Sequence, residues 1–315
     1  MDCDHLHFPC RRPRRIVQAR PQSSDEWTNM AAPALAIPNC PACASTTTKD
    51  LMVHNGHQLK TCSRCKFVFT AQRSFTTIPY EDTPLGMAAY QSMIKAAERT
   101  YRRELGFRDL WWFQRKALKW LHARLRTGRV LDISSGPGTM LMVARQVYGY
   151  DVQGVEPVAT AVESAIRFGV PTFCGTAQDY AKKQPEKFDA ITSFEVLQHV
   201  VDPAAFLQTA KQLLKKNAIL ILSTPNLDDP YCLQQKNAPA MPPPQINFFS
   251  RRSLKVLLER AGFAVTRTYT LPIPTSSVRN LYGKKGLLIR IPYLFAQRFA
   301  GKADGTTLLI MAAPM

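Results

Sequence analysis

Four cysteines in two matched pairs are the residues of this 315-residue chain whose spacing points most directly to chemistry. Two residues separate Cys40 from Cys43 and Cys62 from Cys65, and eighteen residues lie between the pairs. Each pair sits on a tight turn that aims two sulfurs in one direction, and two such turns complete the tetrahedral thiolate set that Zn²⁺ prefers. The spacing therefore predicts a structural zinc site in a ribbon over residues 37–70, with no open position for catalysis.

The need for zinc follows from the small size of this cysteine-bearing segment. A unit of roughly 35 residues buries too little apolar surface to fold alone, so the metal would hold it together. We expect two strands, at Gln58–Thr61 and Lys66–Thr70, to frame the second pair. His54 and His57 lie between the pairs, and we expect both at the surface, with replacement of a cysteine as ligand the alternative.

A nine-residue stretch from Val130 to Gly138 has the pattern of a ligand-binding turn. It reads VLDISSGPG, a short apolar strand with Asp132 near its end, followed by small residues that lead into a helix. Small residues let the backbone approach a ligand, the helix N-terminus favours negative or polar groups, and the acid accepts hydrogen bonds. The stretch predicts a nucleotide-like ligand if the later strands also end in suitable residues.

The later strands do end in polar residues. Glu156 follows the second strand, eighteen residues after the turn, where a carboxylate can accept hydrogen bonds from two ribose hydroxyls. Residues 175–179 (GTAQD) follow the third strand and offer polar groups to an adenine edge. The fourth strand leads into Phe194 and Glu195, and then His199. Because parallel strands end at one edge of a sheet, we expect these residues at a common site.

Strands and helices alternate from residue 129 onward, which is typical of parallel βαβ units with helices on both faces of the sheet. Seven strands are predicted, at 129–133, 151–155, 172–174, 188–193, 218–223, 263–270 and 306–312. Helices are predicted at 89–104, 110–126, 140–148, 159–168, 204–214 and 251–261. The expected fold class is α/β, a Rossmann-like, seven-stranded, mostly parallel sheet preceded by the small zinc ribbon.

The chain divides into four expected regions. Residues 1–36 are rich in Pro, Arg and Ser and predict a disordered tail. The ribbon follows, then residues 71–127 as a linker (71–88) with a helical cap, and residues 128–315 as the α/β domain. Met30 opens a more ordinary N-terminus, so we hypothesise that residues 1–29 do not belong to the native product.

Five segments in sequence resemble the class I S-adenosylmethionine-dependent methyltransferases, in particular the small-molecule enzymes similar to ubiquinone O-methyltransferases. The segments are VLDISSGPG, GVEP, FDAITSFEVLQHVVDP, ILILSTPN and INFFSRRSLKVLLERAGF, and they cover residues 128–313 in the order of the family. Relatives with a four-cysteine ribbon ahead of the catalytic domain also occur. The resemblance implies that residues 128–315 form a methyltransferase domain that binds S-adenosylmethionine, with Zn²⁺ as a second, structural cofactor.

The resemblance also assigns roles to individual residues. Asp132 and the backbone of the turn, with Ser134, Gly136 and Gly138, would hold the methionine part of the cofactor. The adenosine part would contact Glu156 at the ribose and Asp179 at the adenine, while Phe194 and Glu195 would close over the sulfonium. Three positions depart from the family pattern: Ser134 replaces the first turn glycine, Gln198 a glutamate, and Gln245 a histidine.

Three functions are open at this point. The first is methyl transfer to an oxygen, nitrogen or carbon of a small molecule or glycan precursor. The second is an RNA methyltransferase whose ribbon and basic regions hold phosphates, and the third is a zinc-ribbon binding protein without turnover. His199 is the candidate general base toward an acceptor hydroxyl, with a packed structural histidine as the alternative. Glu195, Gln198 and His199 could also converge on a cation.

The charge and hydropathy of the chain limit the kinds of partner that it can have. The chain has 41 Lys and Arg against 23 Asp and Glu, a net charge of +18. Two regions carry most of it, with 11 basic against 2 acidic residues in 245–315 and 11 against 3 in 91–129. Such faces suit anionic substrates, RNA or a membrane surface, or are simply solvated. No stretch is long and apolar enough to span a bilayer, and we expect a cytoplasmic protein of undetermined oligomeric state. Residues 286–300 could lie on a membrane surface.

Overall fold

The computed structural model of the protein describes residues 35–54, 56–73, 84–102, 107–184, 187–229, 245–270 and 305–315. The predicted tail (except its last two residues), the predicted membrane-surface segment 286–300 and most of the loop 227–249 lie outside these residues. The chain separates into two compact units. One contains residues 74–193 and 209–219, and the other contains residues 36–73, 194–208 and 220–315.

The ribbon contains two small sheets. Strand β1 (Leu35–Ala36) pairs with β5 (Gln72–Arg73), and strands β2 (Thr48–His54), β3 (His57–Cys62) and β4 (Val68–Thr70) form a second sheet in that order. The two predicted strands match β3 and β4, while β2 was not predicted. The expectation that residues 1–36 are a disordered tail is wrong at its end, because Leu35 and Ala36 form a strand. The expected linker is likewise shorter, because Gln72–Arg73 forms a strand.

Two helices precede the α/β elements, as predicted for the helical cap. Helix α1 spans Pro84–Arg102 and α2 spans Trp112–Arg124, with a 3₁₀ turn at Phe107–Asp109 between them. The expected linker over 71–88 is therefore wrong at its C-terminal end, because α1 begins at Pro84, and proline is well suited to the first turn of a helix. Buried residues of α2 recur at three- and four-residue steps: Phe113, Ala117, Leu118, Trp120 and Leu121.

The main sheet has seven strands, which confirms the predicted fold class. Its strands are β6 (Arg129–Ile133), β7 (Asp151–Glu156), β8 (Thr172–Cys174), β9 (Phe188–Phe194), β10 (Leu214–Pro225), β12 (Phe263–Thr270) and β13 (Thr307–Pro314). Their order is β12-β13-β10-β9-β6-β7-β8. Strand β6 is parallel to both β7 and β9, and β13 is antiparallel to both β10 and β12.

The order of the strands also fixes where a ligand would lie. The chain runs outward from β6 to β8 on one side and then returns to β9 on the other side of β6. Since right-handed crossovers on opposite sides of a strand place helices on opposite faces, a crevice opens beyond the carboxyl end of β6. The helices of this sheet are α3 (Thr139–Tyr148), α4 (Ala159–Arg167), α5 (Ala177–Lys183), α6 (Pro203–Leu213) and α7 (Arg251–Arg260). Helix α5 was not predicted; its first three residues were considered only as polar groups after the third strand.

Among the described residues, none of the helices combines the length and the hydropathy that crossing a bilayer requires.

Candidate functional site

The ribbon brings its four cysteines together. All four sulfur atoms lie within 4.8 Å of one another, with 3.6 Å between the sulfurs of Cys40 and Cys65 and between those of Cys43 and Cys62. Sulfurs at about 2.3 Å from a tetrahedral zinc ion lie about 3.8 Å apart, so the four residues fit this metal. Four thiolates would fill its coordination shell, so a zinc ion bound here would have a structural role.

The two cysteine pairs are built by the same backbone device. The residue after each pair has a left-handed backbone, with φ of 59° at Ala44 and 63° at Lys66. Its N–H donates to the carbonyl of the first cysteine of that pair, at 2.8 Å for Cys40 and 3.0 Å for Cys62. A left-handed non-glycine residue costs about 1–2 kcal/mol, and such strain concentrates at ligand sites, where it is offset elsewhere.

The thiols and histidines of the ribbon differ in environment. Although burial acts in the opposite direction, backbone N–H groups of Cys65 and Arg64 lower the pKa of the Cys62 thiol to about 7. A hydrogen bond shared with Cys65, together with burial, raises the pKa of the Cys40 thiol. The expectation that His54 lies at the surface is wrong, since its side chain is buried and its Nε2 has no hydrogen-bond partner among the described residues.

In the other compact unit, the turn after β6 is tightly tied to the neighbouring strand β7. The backbone N–H groups of Ser134 and Ser135 both donate to the carbonyl of Val155, at 2.7 and 3.2 Å. Gly136 and Gly138 have φ of 54° and 76°, backbone angles that residues with a side chain rarely adopt. A Cβ on Gly138 would also lie 3.1 Å from Val170, so this position needs glycine on two grounds.

Ser134 is the strained residue of the turn, because its φ is 61°. Glycine adopts this left-handed conformation without strain, whereas serine does not. Replacing Ser134 by glycine therefore tests the backbone strain of the turn. Ser134→Gly should raise the free energy of unfolding by up to about 1 kcal/mol, because relief of backbone strain exceeds the extra entropy of the unfolded glycine chain. Binding of the cofactor should be equal or tighter, measured by calorimetry alongside urea unfolding.

The neighbouring serine supplies the control. Ser135 does not have a left-handed backbone, so Ser135→Gly should instead lower stability by about 0.5–1 kcal/mol. Markedly weaker cofactor binding by Ser134→Gly would show that the Ser134 hydroxyl is itself a ligand, contrary to this expectation.

Asp132 is buried at the end of β6, with 3 % of its surface exposed. The Thr192 hydroxyl donates to its Oδ1 at 2.7 Å. Burial raises the pKa of the Asp132 carboxyl to about 7; the Thr192 hydroxyl opposes this shift, and the negative charge of Glu156 adds to it. A carboxylate held in this way gains most from a cationic ligand group, which would restore its ionised form.

Glu156 connects the turn with the start of the next helix. Its Oε2 accepts a hydrogen bond from the Gly136 N–H at 2.8 Å, and its Oε1 accepts from the Val158 N–H at 3.0 Å. The Tyr90 hydroxyl of α1 donates to Oε1 at 3.2 Å. Tyr90 is a residue that the sequence did not single out, because nothing in its local pattern places α1 beside β7. A ribose hydroxyl at Glu156 would share the carboxylate with Tyr90.

Asp179, the predicted adenine ligand, lies in the first turn of α5 and has a local role. Its carboxylate accepts hydrogen bonds from the Thr176 hydroxyl at 2.7 Å and from the Thr176 N–H at 3.4 Å. The Asp179 N–H donates back to Thr176 Oγ1 at 3.1 Å, which completes a capping box. The hydrogen bonds from Thr176 hold the pKa of the Asp179 carboxyl below its usual range. Its contact with adenine stays a prediction.

Phe194 and Glu195, the last two predicted cofactor residues, belong to the compact unit that also contains the ribbon. Glu195 has a left-handed backbone with φ of 57°. The Ser223 hydroxyl donates to Glu195 Oε1 at 2.7 Å, and the Gln198 amide donates to Oε2 at 3.4 Å. Burial of the carboxyl raises its pKa to about 7, although the residue as a whole remains partly exposed. A carboxyl with this pKa can accept or release a proton near neutral pH.

His199, the predicted base, is exposed at the end of a 3₁₀ turn over Leu197–His199. Gln198 is buried, and its Oε1 accepts a hydrogen bond from the Thr224 hydroxyl at 3.3 Å. A cation bound by Glu195, Gln198 and His199, the alternative raised from the sequence, stays untested. Among the cysteine, histidine and acidic side chains of the described residues, the four cysteines are the group that could hold a metal ion. The role of His199 as a base stays a prediction.

The chain belongs to a family of methyltransferase domains. Residues 103–268, just over half of the chain, match the family model described as "Methyltransferase domain". The predicted family is thereby confirmed, and the matched segment contains every predicted cofactor residue from Asp132 to Glu195 as well as His199.

Curated relatives point in the same direction over a shorter span. The "Ubiquinone biosynthesis O-methyltransferase" of Pseudomonas syringae pv. tomato (strain ATCC BAA-871 / DC3000) is 31% identical over 138 residues, which are 41% of this chain and 59% of the relative. The protein of the same name from Pseudomonas aeruginosa (strain UCBPP-PA14) is 33% identical over 138 residues, with the same coverage. This chain thus spans about 59% of the length of each of these two relatives.

A solved structure described as a "SAM dependent methyltransferase from Archaeoglobus fulgidus" has a TM-score of 0.48 and 17% identity, and covers 64% of this chain and 94% of that chain. We therefore assign the fold from the order of the strands in the sheet and not from this similarity.

Proposed function

We propose that this protein transfers a methyl group from S-adenosylmethionine to a small-molecule acceptor. The observation that carries the proposal is the pair of buried carboxylates, Asp132 and Glu156, at the ends of β6 and β7 beside a glycine turn in a methyltransferase-family chain. S-adenosylmethionine, when bound, supplies a methyl group on a positively charged sulfur, which an acceptor atom can attack in line.

The residues of the chain would bind and orient both reactants. Asp132 would hold the ammonium of the methionine part and Glu156 the ribose. The N–H groups of Ser134, Ser135, Gly136 and Gly138 already donate to acceptors within the protein. For an acceptor hydroxyl, a base takes the proton as the oxygen forms its bond to the methyl carbon and the carbon–sulfur bond breaks. His199 is the proposed base, with Glu195 as a second candidate because its pKa is about 7.

A hydroxyl is the acceptor group that we favour. The curated relatives carry the name of O-methyltransferases of ubiquinone biosynthesis, and methyl transfer to a phenolic hydroxyl is the simplest chemistry for this chain to share. Aligning the two reactants can by itself contribute about 7–11 kcal/mol, so a covalent intermediate is unnecessary. We also propose a structural Zn²⁺ at the four cysteines, which would supply no chemistry to the transfer. RNA methylation remains the alternative.

Calorimetry with S-adenosylmethionine tests the proposal first. We expect binding with a Kd on the order of micromolar, a range typical of enzyme substrates, and transfer of labelled methyl groups to catechol as a simple phenolic probe. Folded protein that gives no heat with the cofactor would contradict every methyltransferase reading and leave a binding protein without turnover. Cofactor binding without transfer to catechol would instead exclude simple catechol-type acceptors.

A further inference from the structure

The segment 245–249 is hydrogen-bonded to the ribbon. Strand β11 (Asn247–Phe248) is antiparallel to β4 and extends the ribbon sheet to four strands. Asn247 is opposite Phe69 and Phe248 is opposite Val68 in this pairing, and the Thr70 N–H donates to the Ile246 carbonyl at 3.1 Å. The ribbon therefore includes a strand that lies nearly 180 residues further along the chain than its own β4.

The same segment is hydrogen-bonded on its other side to the turn after β9. The Ile246 N–H donates to the Gln198 carbonyl at 2.9 Å. The Asn247 side-chain amide donates to the carbonyls of Leu197 at 3.1 Å and Val200 at 2.7 Å. Asn247 is 1 % exposed, so its amide is committed to this turn rather than to solvent. Gln198, whose backbone and amide are both engaged, reaches the Glu195 carboxylate.

Two arginines of helix α7 donate hydrogen bonds to the ribbon, one at each cysteine pair. The Arg252 guanidinium donates to the carbonyl of Arg64, which lies between Cys62 and Cys65, at 2.9 Å. Arg260, also on α7, donates to the carbonyls of Pro41 and Ala42, between the other two cysteines, at 3.3 and 3.4 Å. Such cations suit a site whose four thiolates outweigh the charge of one zinc ion.

Aromatic packing completes this attachment. The rings of Phe67 and Phe249 are 4.8 Å apart between centroids, and both side chains are fully buried. A ring pair at this separation stabilises the contact beyond the area that it buries. The ribbon, the segment 245–249 and the turn after β9 thus form one continuous hydrogen-bonded and packed path inside the second compact unit.

We propose that the metal-held ribbon positions the turn Glu195–Val200, which contains both candidate bases, and that Asn247 is the positioning residue. The catalytic consequence rests on the proposed methyl transfer. Glu195 has a strained, left-handed backbone, and strain of this kind persists only where the surroundings over-determine it. Asn247 fixes two carbonyls of the turn, and the ribbon fixes Asn247. Loss of the metal would therefore release the Glu195 carboxyl and His199, while Asp132 and the turn after β6 keep their own hydrogen bonds.

Asn247→Ala, compared with Asn226→Ala, tests this role. Asn226 is equally buried in the same unit, and its side chain also makes two hydrogen bonds: its amide donates to the Gly305 carbonyl at 2.9 Å, and its Oδ1 accepts from the Asp228 N–H at 3.2 Å. In Asn247→Ala, amide hydrogen exchange of residues 195–200 should accelerate at least about tenfold relative to Asn226→Ala. Transfer to catechol should fall about 30-fold or more in kcat with KM little changed, since misplacement of about 1 Å can cost about 100-fold in rate.

Removal of zinc by a chelator is the second arm. Amide exchange should accelerate together in Val68–Thr70 and in residues 195–200, and added zinc should slow both again. The affinity for S-adenosylmethionine should change less than about tenfold. Exchange in 195–200 that stays within about threefold of the Asn226→Ala control, or that stays slow while the ribbon opens, would overturn the proposal. Failure of catechol methylation would count against the proposed function alone, because the exchange measurements need no acceptor.

Discussion

Replacement of Asp132 by Asn should weaken binding of S-adenosylmethionine by about 100-fold at pH 8 without destabilising the fold. The amide keeps the size of the carboxyl and can still accept the hydrogen bond from Thr192, but it has no charge for the ammonium of the ligand. Burial of Asp132 penalises the ionised form, so the neutral side chain should be at least as stable at pH 8. A loss of affinity without a loss of stability would distinguish a ligand residue from a packing residue.

The pH dependence of the wild-type protein follows from the same shift. The pKa of Asp132 rises from 3.8 to about 7 on folding, so the folded state binds the proton more tightly than the unfolded state. This group's stabilisation is fully present below pH 4 and is lost as the pH rises to about 7. Cofactor affinity should change in the opposite direction, falling up to about tenfold per pH unit below pH 7, because the ligand needs the ionised form.

Calorimetry and urea unfolding between pH 5 and pH 8 would measure both effects. The Asn variant should lack both of these contributions, and Asp151→Asn, at the exposed start of β7, should behave as the wild type in cofactor binding. Affinity of the Asp132→Asn variant within about threefold of the wild type would show that Asp132 does not bind the ligand.

Cys62→Ser should reduce bound zinc from one equivalent per chain to a small residual amount and unfold the ribbon. Structural zinc contributes about 10–16 kcal/mol to the folding of small zinc units at pH 7, so a single lost thiolate is decisive. His57→Ala is the matched control, because His57 lies between the two pairs and is not part of the cysteine cluster. This control should keep its zinc.

Elemental analysis and hydrogen exchange of the ribbon amides would measure the result. Release of zinc from the wild-type protein should also become easier as the pH falls, because protons compete for the thiolates. A wild-type protein that is purified without zinc and still protects these amides would show that the ribbon folds without the metal.

The sequence determined the features that depend on local spacing. Two Cys-x₂-Cys pairs predict a metal ribbon because the turn between paired cysteines is short enough to fix both sulfurs by itself. Strand Arg129–Ile133 and the turn to Gly138 were likewise readable, because an apolar strand, an acid and two glycines all lie within nine residues. Helix α5 was missed because its local pattern is short and polar, and no tertiary context was available to decide it.

The tertiary structure decided the features that join distant parts of the chain. Tyr90 meets Glu156 across 66 residues, and Thr192 meets Asp132 across 60, which no periodicity of the sequence encodes. Ser134 shows the same division, since its identity was visible in the sequence while its left-handed φ of 61° was not. The link from the ribbon through Asn247 to Glu195 depends on strand pairing at long separation, and such pairing is set by the packing of the whole fold. The sequence alone therefore identified the residues that can bind a metal or a cofactor. The three-dimensional packing decided which of these residues meet.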